Sequence, residues 1–213
     1  MPSITAHRYA WLALLALGLC GGAQAFVVPI DPDKRALYLR VGDGDFSNRT
    51  YAQGGKPLTS SAPANTVWLD VPAAQVGNTI AQPMNSTSRL TSDWDGYTFC
   101  NTNQTYIGGF YRSDNTGGSA TLTATVTADL TSPAGDTIAF SQISWTSSGN
   151  GDTGAQPVPG GNFTGNFASP VQALTTFPVN SWRESCHRFS YANSAVRAAG
   201  TYTGTVLYTL TSP

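Results

Sequence analysis

Apolar and polar positions alternate with period two along most of the chain, and the apolar spacing of an amphipathic helix is almost absent. The clearest run lies between positions 120 and 130. Ala120, Leu122, Ala124, Val126, Ala128 and Leu130 fall on one face, and Thr121, Thr123, Thr125, Thr127 and Asp129 on the other. β-Branched threonine suits the wet side of a pleated strand. The same alternation predicts strands over 37–41, 67–71, 97–100, 106–112, 171–177, 182–191 and 201–211. Between 137 and 145 the apolar phase slips from Ile138 and Phe140 to Ile143 and Trp145, which predicts a one-residue bulge at Ser141-Gln142. Gly108-Gly109 predicts a bulge or close packing, 147–165 reads as a long Gly/Asn/Pro/Ser loop, and only 192–199 could hold a helical turn. About nine strands at turn-punctuated spacing predict an all-β fold, a single sandwich of two antiparallel sheets over 36–213.

The N-terminus breaks this pattern. His7 and Arg8 close a short polar region, Trp11 to Leu19 is apolar, and Ala23-Gln24-Ala25 is a small-x-small cleavage site. That order is the one a secretory signal requires, and the run is short of the roughly 20 residues that span a bilayer. Residues 1–25 are therefore expected to be a cleaved signal peptide, which exports the rest to the periplasm and then the cell surface or medium. Cys20 offers a rival reading as a lipid-attachment site, although Leu19 stands where lipoprotein signals have a small residue.

Composition then narrows the function classes. The chain has 11 Lys+Arg against 12 Asp+Glu, and charged residues make up only 11% of it, so no basic patch points to nucleic acid. Threonine, serine, asparagine and glycine supply the polarity instead. After cleavage Cys100 and Cys186 are the only cysteines. In an oxidising compartment they read as one disulfide, which would stabilise the fold by roughly 4 kcal/mol. The other reading is two separate buried thiols.

Chemistry-bearing constellations are few. The mature chain has one histidine, His187, and one glutamate, Glu184, and no nucleophile elbow, phosphate loop or zinc-protease motif. A histidine base or zinc site needs partners that His187 lacks in sequence. Two carboxylates for hydrolysis would have to come from Asp43/Asp45 or Asp93/Asp95, both in turn-like segments where aspartate is common for backbone reasons. Asp43-Gly44-Asp45 opens like a calcium loop, but the sixth and twelfth places hold Asn48 and Gly54, so no metal site is expected. No cofactor and no enzymatic activity are expected. Trp68, on the polar face of its strand, and Trp94, between two aspartates, are the candidate aromatics for stacking on a sugar.

The last segment carries the most specific signal. Tyr202, Val206, Tyr208 and Leu210 share one face, and Gly200 stands fourteenth from the end. With nothing after it, such a strand must pair within its own sheet or with another molecule. In these features, and in its signal peptide and threonine- and glycine-rich β domain, the chain resembles the subunits of chaperone–usher pili. The resemblance implies an Ig-like sandwich lacking one strand, first lent by a periplasmic chaperone and then replaced by the N-terminal segment of the next subunit, with an outer-membrane usher as the assembly platform. The donor segment would lie in the extension 26–35, where Phe26, Val28 and Ile30 alternate, although Pro29 and Pro32 lack backbone donors. The chain departs from the family pattern at Ser212, where many members have tyrosine, and in the late positions of its cysteines. The expected function is a structural subunit of a surface fibre. A secreted carbohydrate- or surface-binding module is the alternative.

Overall fold

The computed structural model describes residues 28–29, 35–43, 49–56, 65–114, 117–149 and 154–213. The expected signal peptide, Cys20, Phe26, Ile30 and Asp45 lie outside these residues. The described residues form antiparallel sheets joined by turns, with two short 3-10 turns at Ala73–Gln75 and Phe140–Gln142. None of their helices is long and apolar enough to cross a membrane.

The first sheet is built on the longest strand. Its elements are β1 (Val28–Pro29), β2 (Ala36–Val41), β4 (Gln82–Pro83), β6 (Thr105–Arg112), β10 (Ile143–Ser148), β11 (Gly161–Asn162) and β13 (Ser181–Tyr191), in the order β11-β10-β13-β6-β2. β1 and β4 add to β13 at its two ends. The second sheet has the order β12-β7-β14, from β7 (Ser119–Thr125), β12 (Val171–Pro178) and β14 (Leu207–Thr211). Two small pairs complete the set: β3 (Val67–Trp68) with β5 (Asn85–Ser86), and β8 (Leu130–Thr131) with β9 (Thr137–Ile138). Instead of nine even strands, the described residues hold seven of five or more residues and seven of two.

The two sheets share their apolar interior. β7 buries Ala120, Leu122 and Ala124 and leaves its threonines half-exposed, as the alternation requires. Ala124 packs with Ile143, Trp145 and Phe189 of the first sheet, and Leu122 packs with Ile107 and Tyr111. These contacts remove apolar surface from water on one face of each sheet. β13 is different, because it is buried on both faces: Ser185, His187 and Phe189 on one, Trp182, Glu184 and Cys186 on the other.

Two local expectations are corrected, and at Gly108-Gly109 one of two alternatives holds. The phase slip at Ser141-Gln142 is not a bulge; the Phe140–Gln142 3-10 turn spends the extra residues and returns Phe140, Ile143 and Trp145 to one cluster. The Gly108-Gly109 register is continuous on both sides, so the pair serves close packing: a Cβ at Gly108 would collide with the Tyr106 ring, and one at Gly109 with the Tyr38 carbonyl. The segment 97–100 forms no strand beyond a single Thr91–Thr98 bridge. It is held instead by the Cys100–Cys186 disulfide, whose Cα atoms are 5.5 Å apart.

Candidate functional site

β14 pairs with β7 alone, and β2 pairs with β6 alone, among the described residues. The two strands are therefore edges of opposite sheets, and they lie near one another. Tyr208 and Leu210 stand opposite the buried Ala124 and Leu122, so both point inward. Leu39 and Val41 point inward from β2, and all four pack on the cluster around Ile107 while staying only partly buried. Leu37, on the same face as Leu39, is 42% exposed. A seam of half-covered apolar side chains thus runs between two strand edges that are unpaired among the described residues. Arg35 closes one end by donating to Ser212 Oγ at 2.6 Å. Burial holds the Tyr208 hydroxyl well above its ordinary pKa.

The other expected assembly residues fall differently. The terminal strand begins at Leu207, so Gly200 and Tyr202 lie outside it. The chain first makes a bridge from Thr203 to Thr131, with Gly204 against the Phe140 ring, and crosses to β7 only afterwards. Val206 still packs on the Trp145 cluster. Of the donor segment, Val28 is paired through its backbone with Trp182 of the same chain, and Pro29 with Ser181.

On its outer face the first sheet is covered by the segment around 89–100 and by Tyr51, and this cover hides a charged network that sequence reasoning missed. Asp93 is fully buried. Its Oδ1 lies 2.5 Å from Arg40 Nη1 and 2.9 Å from Arg89 Nε, and Tyr38 donates to its Oδ2 at 2.9 Å. Glu184, beside it, accepts from Ser92 Oγ, from Tyr106 Oη at 2.5 Å and from Trp182 Nε1 at 3.0 Å. Desolvation raises the Glu184 pKa despite these three donors, and burial next to Glu184 raises that of Tyr106. Each carboxylate is thus met by three side-chain donors from within the fold. Asp95 accepts from the Tyr97 amide in a turn, and no group of three or more potential metal ligands occurs among the described residues.

The two candidate aromatics do not share a surface. Trp94 is half-buried, stacked on Tyr51 with ring centroids 5.2 Å apart and 6.0 Å from Trp182. Trp68 is 44% exposed, and its neighbours Val67 and Leu69 pack on the separate Trp145 cluster. His187 is wholly buried and stacks on Trp145. Two signals in the sequence point toward the network: Arg40 shares a strand face with Tyr38, and the single glutamate sits between Trp182 and Cys186 on one strand face. Neither says that Asp93 would be the counter-charge. Comparison with protein-family models, curated proteins and solved structures finds no match.

Proposed function

We propose that this chain is an exported structural subunit of a surface fibre, with an Ig-like sandwich that assembles by β-strand addition. The observation that carries the reading is the seam between β2 and β14, where Leu39, Val41, Tyr208 and Leu210 remain partly covered beside strand edges unpaired among the described residues. An extended peptide laid there would gain main-chain hydrogen bonds from an edge and bury alternate apolar side chains, which is the physics of strand addition. Left bare, the same edges favour aggregation. The partners on this reading are other copies or related subunits, with a periplasmic chaperone and usher. A non-enzymatic role is part of the proposal, supported by the burial of Asp93 and Glu184, each tied to three donors of the fold.

The test uses residues 26–213 purified after signal removal. The protein should polymerise or melt low, and a synthetic peptide of residues 26–33 should raise its melting temperature. Leu210→Arg in the seam should abolish that rise, which separates binding at the seam from pairing along β13. A stable monomer whose melting ignores the peptide would overturn the reading. A carbohydrate-binding role has one observation in its favour, the exposure of Trp68.

A further inference from the structure

The segment expected to be a plain loop before β11 passes between the two sheets. Pro157 is buried and Val158 is 0% exposed. Four backbone groups here are met by side chains. Thr175 of the second sheet donates to the Pro157 carbonyl at 2.8 Å. From the first sheet, Ser185 accepts from the Val158 amide at 3.0 Å, Ser147 donates to the Val158 carbonyl at 2.6 Å, and Trp145 Nε1 donates to the Pro159 carbonyl at 2.9 Å. His187 Nε2 lies 3.0 Å from the same Val158 carbonyl. A carbonyl only accepts, so Nε2 carries the hydrogen and Nδ1 holds a lone pair. That Nδ1 is buried and has no partner among the described residues.

We propose that Pro157 and Val158 form an internal wedge between the sheets, with Pro159 at its exposed end, and that acid releases it by protonating His187. A proton on Nδ1 would be a buried donor facing no acceptor, on a ring pressed against Trp145 with centroids 5.7 Å apart. Around the ring β10 brings Trp145 and Ser147, the wedge brings Val158 and β13 brings Phe189, none of them a charge, and Thr175 of β12, which bonds the adjacent Pro157, carries none either. Along β13 the charged residues nearest the ring are Arg188 and Glu184, one and three positions away on the opposite face, and Arg183, four positions away; only Arg183, a cation, shares the face of His187. Burial accordingly pushes the imidazole pKa down to about 4. Opening the wedge returns the ring to water, where it takes up its proton, so falling pH favours the open form.

Hydrogen exchange of the Trp145 indole and the Val158 amide reads the opening directly. The gap between about 4 and the ordinary 6.5 corresponds to a loss of protection of roughly 200-fold between pH 7 and pH 3, after correction for intrinsic exchange. His187→Gln keeps a donor for the Val158 carbonyl but cannot ionise, and its protection should change by no more than about threefold. Thr175→Val, a second variant that keeps His187, should loosen the wedge at pH 7 by about tenfold yet retain the full acid response. At every pH the two wedge probes should exchange faster than amides of the β6–β13 ladder. An acid response that persists in His187→Gln, is missing in wild type and Thr175→Val, or coincides with ladder exchange would overturn the proposal.

Discussion

Arg40 reaches Asp93 across 53 positions of sequence, its Nη1 2.5 Å from Asp93 Oδ1, and both side chains are almost wholly excluded from water. The pair ties edge strand β2 to the segment that covers the outer face of the first sheet. Its consequence for stability is asymmetric. Asp93→Asn leaves the buried Arg40 guanidinium without its counter-charge and should cost about 3–5 kcal/mol in urea unfolding. Arg40→Met leaves Asp93 with Arg89 and Tyr38, and should cost less. The double variant should be closer to wild type than the sum of the singles; strict additivity would show that the two charges do not act as a unit.

What the sequence made legible, and what it hid, follows from the range of each interaction. The threonine alternation of β7 and the strand in β13 could be read because side-chain period is a local property. The disulfide was legible from cysteine count and the expected export. The Asp93 network was not, because Asp93 in a turn looks like any turn aspartate until a distant arginine meets it. Val158 was hidden for the opposite reason: glycine and proline around it mark a loop by composition, yet five side chains from three strands bond the backbone of Val158 and its two proline neighbours. At the candidate seam, Tyr208 and Leu210 were readable as an inward face, whereas the late start of β14 depends on the Thr131–Thr203 bridge.

Glu184 makes stability depend on pH in a direction opposite to most surface carboxylates. Its pKa is raised in the folded state, chiefly by desolvation. The contribution is therefore complete below the ordinary carboxylate range and is lost as pH rises through the folded value. Glutamine fits the same site: its carbonyl can accept from Tyr106 and Trp182, and its amide can donate to Ser92 Oγ. Glu184→Gln should gain stability relative to wild type as pH rises from 4 to 8, measured by unfolding at each pH. A difference that does not change with pH would refute the assignment.

Cys100 and Cys186 close a loop of 86 residues and fasten the 89–100 cover to β13. Replacing both with alanine should cost about 4 kcal/mol. The loss should be uneven, with amide exchange rising first around Ser92 and Phe99, whose amides bond to Tyr97 and Leu90 within the cover. Uniform loss of protection would mean that the cover and the sheet unfold as one.

Trp94 and Trp68 separate packing from recognition. Trp94 stacks on Tyr51 and lies against Trp182 and Phe110, so Trp94→Ala should lower stability by about 2–3 kcal/mol, less than a fully buried tryptophan because one side remains exposed. Loss of glycan retention in that variant would then report damage to the cover and could not identify a ligand surface. Trp68 stands apart at 44% exposure on a two-residue strand, and Trp68→Ala should change stability by no more than about 0.5 kcal/mol. It is the variant that decides whether the chain binds carbohydrate. Retention on an immobilised glycan that drops at least tenfold in Trp68→Ala, with an unchanged melting temperature, would give the binding role a surface. Equal retention of wild type and Trp68→Ala would remove its one structural support and leave the strand-addition reading alone.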